Sequence, residues 1–420
     1  MQKSLDTKLA EIRSNPGRAK SFIIADAKDA DMAFGITAPG PKPNQSPEAF
    51  SSGELHFKTL PEYQQQIRDV IKQGLVDILL ASASNIEQLS IKEGLFKNSH
   101  LTPAARANDA TDIWVIRHGS YIQQPSQPFR SASIDHIQCG KLECEEGEIT
   151  GANLGLYSVT FTNDLDRDKR SLCAFKDFRE EAELKGFKYF LEVFDPNVKT
   201  GISDDKIGHF INDHIVRSLA GVTQRGRPEF LKIVYHGPKA MEELCAYDPS
   251  LVVGILGGGA GTTYDAFKLI SEAQKYGARV ALFGRKINMA EHQLAFIQFL
   301  RYIVEGSITP EDAVKAYHGV LQGLNIRPHR SLQEDLTLQT GVMSYGGSTT
   351  VAVPAGTPRS TSVSKPSVPA PSPSKIAGNL GGNIAVPNRN ALPTPTTDSK
   401  TNTSRVEEQL RRLKKKLGDI

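Results

Sequence analysis

The sequence has no apolar run of roughly eighteen uncharged residues, so no membrane-spanning helix is expected. Its start, MQKSLDTKLAEIRSNPGRAKSFIIADAKD, is charged throughout and lacks the apolar core of a secretory signal, so the cytoplasm is the expected compartment. Cysteine is scarce, with 4 in 420 residues, too few for a disulfide framework. An excess of one charge is also missing: 50 Lys and Arg stand against 47 Asp and Glu. A net charge of +3 gives no electrostatic case for nucleic acid as the main partner. With 39% apolar and 23% charged residues, the chain has the make-up of a soluble globular protein.

Aromatic residues vanish after Gly346, where the chain becomes Pro, Ser, Thr, Gly, Asn and Ala. Such a segment buries too little apolar surface to offset its ordering entropy, so 346–403 reads as a disordered linker. In the closing stretch 404–420, Val406, Leu410, Leu413 and Leu417 recur at helical spacing. Ser404 and Glu407 can form a capping box there. A helix this short needs a protein partner, another copy or an acidic surface to stay folded, and the alternative is a fraying tail. Lys414–Lys416 reads as a solvated face or an anion contact.

Residues 1–345 alternate short apolar runs with helical patterns. Eight runs read as strands: Phe22–Ala25, Val76–Ala81, Ile113–Ile116, Leu156–Phe161, Tyr189–Val193, Phe230–Tyr235, Leu251–Leu256 and Arg279–Phe283. Most are continuously apolar, as in parallel strands buried on both faces. Helical stretches such as Leu60–Gln73, Leu172–Lys185, Ile207–Leu219 and Tyr264–Tyr276 lie between them. The expected fold class is α/β, a (β/α)8 barrel with a long insertion after its third strand, the alternative being an open doubly wound sheet. That insertion, 117–154, reads as a lid or an interface arm.

The sharpest local signal is a strand running into Gly257, Gly258, Gly259 and Gly261, followed by Thr262 and Thr263 opening a helix. A second strand ends at Phe283, Gly284 and Arg285. Glycines admit close backbone approach and arginine offers a bidentate fork, so the two strand ends suit a phosphate. Tight turns alone would also explain the glycines. The run matches neither a dinucleotide fingerprint nor a P-loop.

Three strands carry an ionisable group: Asp26, Glu192 and Lys232. A lysine kept dry loses its proton readily and attacks carbonyls, and a neighbouring carboxylate can shuttle protons. In a barrel the three should converge on one pocket; the alternative is a structural ion pair. Cys139 and Cys144, with His118 and His136, have metal-ligand chemistry at unspecific spacing and read as ordinary loop residues. Arg117, His118 and Arg130 could meet a second phosphate; His236 reads as a hydrogen-bonded strand-end histidine, with substrate contact as the alternative, and Tyr235 as a packed residue.

These strand ends resemble class I aldolases of the fructose-bisphosphate, tagatose-bisphosphate and deoxyribose-phosphate type, in order from about Phe22 to Asn288. Leu231-Lys232-Ile233 is similar to the sixth-strand segment with the family's Schiff-base lysine, and Phe190-Leu191-Glu192 to the fifth strand with a proton-transferring glutamate. Asp26 falls on the first-strand acidic motif, and Lys28, where one branch has an arginine, is expected to help bind the substrate phosphate. Gly257, Gly258, Gly259, Gly284 and Arg285 fall on the phosphate grip. The resemblance implies a lyase for a phosphorylated sugar or keto compound, needing no cofactor and no metal. The competing expectation is a barrel that binds a phosphometabolite without chemistry and acts as a scaffold or sensor through its tail helix. A phosphatase, isomerase or synthase with the same phosphate grip is a third. Self-association is left open.

Overall fold

The apolar strand runs pair laterally and the amphipathic stretches between them cover the outside. In the computed structural model, which describes residues 1–43, 45, 54–259 and 261–341, the strands close into a barrel. They are β1 Ile23–Lys28, β2 Ile78–Ala81, β3 Thr102–Arg106, β4 Leu154–Thr160, β5 Lys188–Phe194, β6 Leu231–Ile233, β7 Gly254–Leu256 and β8 Val280–Phe283. Neighbours pair in parallel around the ring, and β1 closes on β8 through Ile23 opposite Val280. The sheet is therefore a closed barrel and not an open doubly wound one.

Side-chain alternation splits the strands into two layers. Ile23, Ala25, Ile78, Leu80, Leu156, Phe190, Phe230 and Leu282 share one buried cluster inside the ring. Ile24, Leu79, Leu191, Leu231, Ile255 and Phe283 belong to the other, against the helices. An N-terminal helix α1, Ser4–Ser14, adds Leu5, Leu9 and Ile12 to the inner cluster. It closes the end of the barrel where the strands begin, and Lys8 holds it there through Asp77 at 2.8 Å and the Phe22 carbonyl at 3.0 Å.

Helix α2, Leu60–Gln73, starts from a capping box of Thr59 and Glu62 and stops at Gly74, which adopts φ 70°. Further along come α3 Ile134–Cys139, α4 Leu165–Leu184, α5 Ile207–Ala220, α6 Pro238–Tyr247, α7 Thr263–Lys275 and α8 Arg285–Met289. Helices α9 Gln293–Val304 and α10 Pro310–Gly323 then pack on α7.

One strand differs from expectation. The third is Thr102–Arg106, not Ile113–Ile116. Residues 113–116 lie instead in the excursion that leaves β3, with the Val115 N–H donating to the Ala33 carbonyl at 2.8 Å. The long insertion after strand three thus spans 107–153 instead of 117–154, because Leu154 already opens β4. It contains a two-stranded antiparallel ribbon, Asp109–Ala110 with Pro128–Phe129, and α3, whose Ile134 and Ile137 enter the outer core. Cys139 and Cys144 are not ordinary loop cysteines: they are joined in a disulfide that closes the end of α3. The linker expected over 346–403 and the helix expected over 404–420 lie outside the described residues.

Candidate functional site

Period-two alternation along the strands decides which ionisable groups enter the barrel. On β5, Phe190 points inward, so Glu192 and Phe194 follow it toward the ends of the strands. On β6, Phe230 points inward and Lys232 follows. The two lie opposite one another in register, and Lys232 Nζ sits 2.5 Å from Glu192 Oε1, with both side chains buried. Glu192 Oε2 accepts from Ser158 Oγ at 2.7 Å and lies 3.6 Å from Arg106 Nη2. Arg106 in turn donates through Nε to Asp29 Oδ2 at 2.6 Å and through Nη1 to Ser158 Oγ at 3.1 Å. A chain of charge-assisted contacts therefore runs Asp29–Arg106–Glu192–Lys232 across four strand ends. None of its members is stranded unpaired in the dry interior, the condition for buried charge to be tolerated.

These groups line a cavity of about 110 Å3 together with Asp112, Gly257, Gly258, Gly284 and Arg285. It opens at the ends of the strands, the side on which barrel enzymes place their chemistry.

Asp26 and Lys28 are not part of it. On β1 the inward positions are Ile23, Ala25 and Ala27, so Asp26 and Lys28 face outward between barrel and helices. Both are fully buried, with Lys28 Nζ 3.3 Å from Asp26 Oδ2 and donating to Asn288 Oδ1 at 2.5 Å and Gln293 Oε1 at 2.7 Å. Burial pushes the Asp26 carboxyl up to about 6 against the pull of Lys28, and burial likewise lowers the Lys28 ammonium against the pull of Asp26. The expected convergence of Asp26 with Lys232 is thereby corrected, and neither Asp26 nor Lys28 lines the cavity. The acid that β1 sends to the cavity is Asp29.

The glycine turn is shaped by what surrounds it. A Cβ on Gly257 would fall 2.1 Å from the Phe283 ring, and one on Gly259 would fall 2.9 Å from Arg285 Nε. Arg285 thus lies over the turn, and burial lowers its guanidinium to about 10. Gly258 adopts φ 58°. The start of α7, by contrast, is already occupied. Asp265 accepts from the Thr262 N–H at 2.7 Å, and Asp335 accepts from the Thr263 N–H at 2.7 Å. Asp265 also clamps the Gln339 and Thr340 N–H groups at 3.0 and 2.9 Å. Two carboxylates of the chain itself therefore take the place a phosphate would have at this helix start. Of the two glycine-bearing strand ends, Gly257, Gly258, Gly284 and Arg285 line the cavity. Lys286 is turned to the Gly261 and Thr262 carbonyls at 2.6 and 3.1 Å, and burial lowers it to about 8.

Asp29, Arg106 and Asp112 were not singled out in the sequence. Asp112 comes from the excursion, where Ser126 and Thr160 hydroxyls donate to it at 2.8 and 2.7 Å; burial raises it, with those hydroxyls opposing. Arg130 pairs with Glu181 and bonds the Ala107 carbonyl, and neither it nor Arg117 nor His118 lines the cavity. His236 Nε2 lies 2.9 Å from Asp195 Oδ1 without the alignment of a hydrogen bond, and Tyr235 packs in the outer core. Among the described residues no group of three or more His, Cys, Asp or Glu side chains is arranged to hold a metal, and no helix is long and apolar enough to cross a membrane.

A closed parallel barrel with its ionisable cluster at the strand ends has the architecture of (β/α)8 barrels. Among solved structures, the fold is similar to a fructose-bisphosphate aldolase from Slackia heliotrinireducens, with a TM-score of 0.51 at 11% identity over 75% of this chain and 91% of that one. It is also similar to an archaeal fructose 1,6-bisphosphate aldolase, with a TM-score of 0.49 at 14% identity over 71% and 99%. A Schiff-base-forming fructose-1,6-bisphosphate aldolase follows, with a TM-score of 0.48 at 15% identity over 70% and 99%. At 11% identity, the first of these likenesses speaks to the fold alone. No family model matches the sequence, and no curated protein matches it.

Proposed function

We propose that the protein is a Schiff-base lyase of the aldolase type, making or breaking a carbon–carbon bond in a phosphorylated carbonyl compound. The observation that carries this reading is the Lys232 amine, buried in the barrel mouth at 2.5 Å from Glu192 and sharing one cavity with Gly258, Gly284 and Arg285. A nucleophile and a proton acceptor within hydrogen-bond reach satisfy the geometric demand of covalent catalysis.

In the reaction, the Lys232 ammonium gives one proton to Glu192, the freed lone pair adds to the substrate carbonyl, and a second Nζ proton passes to the former carbonyl oxygen, giving a carbinolamine. Glu192 then returns its proton to that hydroxyl, which leaves as water and gives an iminium. Cleavage of the adjacent carbon–carbon bond sends its electron pair into the iminium, forming an enamine and releasing an aldehyde. Protonation of the enamine carbon and hydrolysis return the free amine. Asp29 and Arg106 hold Glu192 in place, and the glycine turns with Arg285 grip the phosphate. Asp26 and Lys28 have a structural part outside the cavity.

Borohydride reduction in the presence of candidate carbonyl substrates, read by mass spectrometry, tests this. A stable adduct on Lys232 that disappears in Lys232→Met is expected. Full turnover by Lys232→Met would transfer the reading to a phosphatase, isomerase or synthase using the same grip. Phosphate-ester binding without any adduct would favour a barrel that only senses its ligand.

A further inference from the structure

The charge inventory of the cavity narrows the substrate, on the premise that Lys232 is the nucleophile. Among the described residues its lining carries three cations, Arg106, Lys232 and Arg285, and three acids, Asp29, Asp112 and Glu192. The charges balance before any ligand enters. Arg106 is committed to Asp29 at 2.6 Å and to Glu192 at 3.6 Å, and Lys232 is the reacting amine. Arg285 is the cation of this lining that lies against the glycine turn, which makes one phosphate site.

The rest of the wall opposes a second one. Phe34, Ile113, Val115, Phe194 and Leu256 line it with carbon. Ile113 packs on the Phe194, Val234 and Leu256 cluster, and Val115 is tied to the Ala33 carbonyl, so the excursion is anchored over the barrel as a roof. The ionisable group of that roof is an acid, Asp112, whose two oxygens already accept hydroxyls from Ser126 and Thr160. A phosphate dianion against this surface would shed water without gaining donors and would face a like charge. The volume of about 110 Å3 is on the order of ten times the smallest space that admits one water, which suits a short ligand.

We infer that the substrate is a singly phosphorylated carbonyl compound whose other end is short and uncharged, and that the Asp112–Val115 roof excludes bisphosphates. Three ketones test this on the full chain: hydroxyacetone phosphate, dihydroxyacetone phosphate and dihydroxyacetone 1,3-bisphosphate. They share the carbonyl and one phosphate, and they differ only in a methyl, hydroxymethyl or second phosphate at the far end. Borohydride delivers hydride to the iminium carbon and fixes each as a secondary amine on Lys232, counted by intact mass. The two monophosphates are expected to label the chain, with the bisphosphate at least about tenfold slower. Ile113→Arg, which offers a fork to the second phosphate, should narrow that ratio. Labelling by the bisphosphate as fast as by the monophosphates overturns the inference and leaves the lyase reading standing. Absence of a label from all three overturns the Schiff-base reading and the inference with it. Should Ile113→Arg fail to fold, the wild-type ratio alone decides.

Discussion

Gly257→Ala is the substitution whose outcome the geometry fixes most tightly. The added methyl would lie 2.1 Å from Cδ1, 2.5 Å from Cγ and 2.6 Å from Cε1 of Phe283. Carbon atoms rest about 3.5–4.0 Å apart, so the gap must open by more than about 1 Å. The Phe283 ring is fully buried in the outer core and cannot retreat, so the strand end itself has to move. Overpacking of this kind costs about 1–3 kcal/mol, a fall of a few degrees in the midpoint of thermal unfolding for a domain of this size. Gly258 and Gly259 move with it, and a displacement near 1 Å can lower reactivity about a hundredfold. Thermal unfolding and the rate of borohydride labelling at Lys232 would be measured for Gly257→Ala, Phe283→Ala and the double variant. Phe283→Ala is destabilising by itself, yet it removes the three atoms the methyl strikes, so the double variant should be more stable than the two single effects predict. Strict additivity, or a Gly257→Ala protein that unfolds and labels like the wild type, would refute the steric reasoning.

Two more substitutions probe other parts of the frame. Asp77 meets Arg301 at 2.9 Å and Lys8 at 2.8 Å and accepts the Ile24 N–H at 2.9 Å; burial pushes its carboxyl up, but Arg301 and Lys8 outweigh this and hold it below the usual range. A depressed folded value means stability present above the unfolded pKa near 3.9 and lost as pH falls through the folded one. Asp77→Asn should therefore lose about 3–5 kcal/mol at pH 7 and show a flatter decline in acid, both read by denaturant titration across pH. In Asp265→Ala the Thr262, Gln339 and Thr340 N–H groups lose their acceptor, and at least about 2 kcal/mol of local stability should go with it. Hydrogen exchange should then quicken at 331–341 and leave α9 protected; unchanged exchange in that strap would count against the clamp.

How much of this was legible beforehand depended on which physical signal each segment carried. Seven strands are long apolar runs, and their β-branched and aromatic content marks them. The eighth, Thr102–Arg106, contains Pro103 and two alanines, so propensity argues against it. It survives because it pairs with β4 only at Ala105 and Arg106, where the missing proline N–H is not needed. Residues 113–116 have the stronger β pattern but spend it on the roof over the cavity. Lys232 and Glu192 stood out as charges inside apolar strands. The facing of Asp26 did not, because a strand apolar on both sides carries no parity signal, and a shift of one residue exchanges inside for outside. The α7 cap was also hidden: its carboxylate Asp335 arrives from 72 residues downstream of Thr263.

The strap that ends at Thr340 gives the barrel a mechanical handle. Thr340 is held by the same Asp265 that caps the helix after Gly261, next to the glycine turn at the cavity. A pull on whatever the chain carries beyond that point is delivered to the rim of the barrel mouth before it reaches any strand.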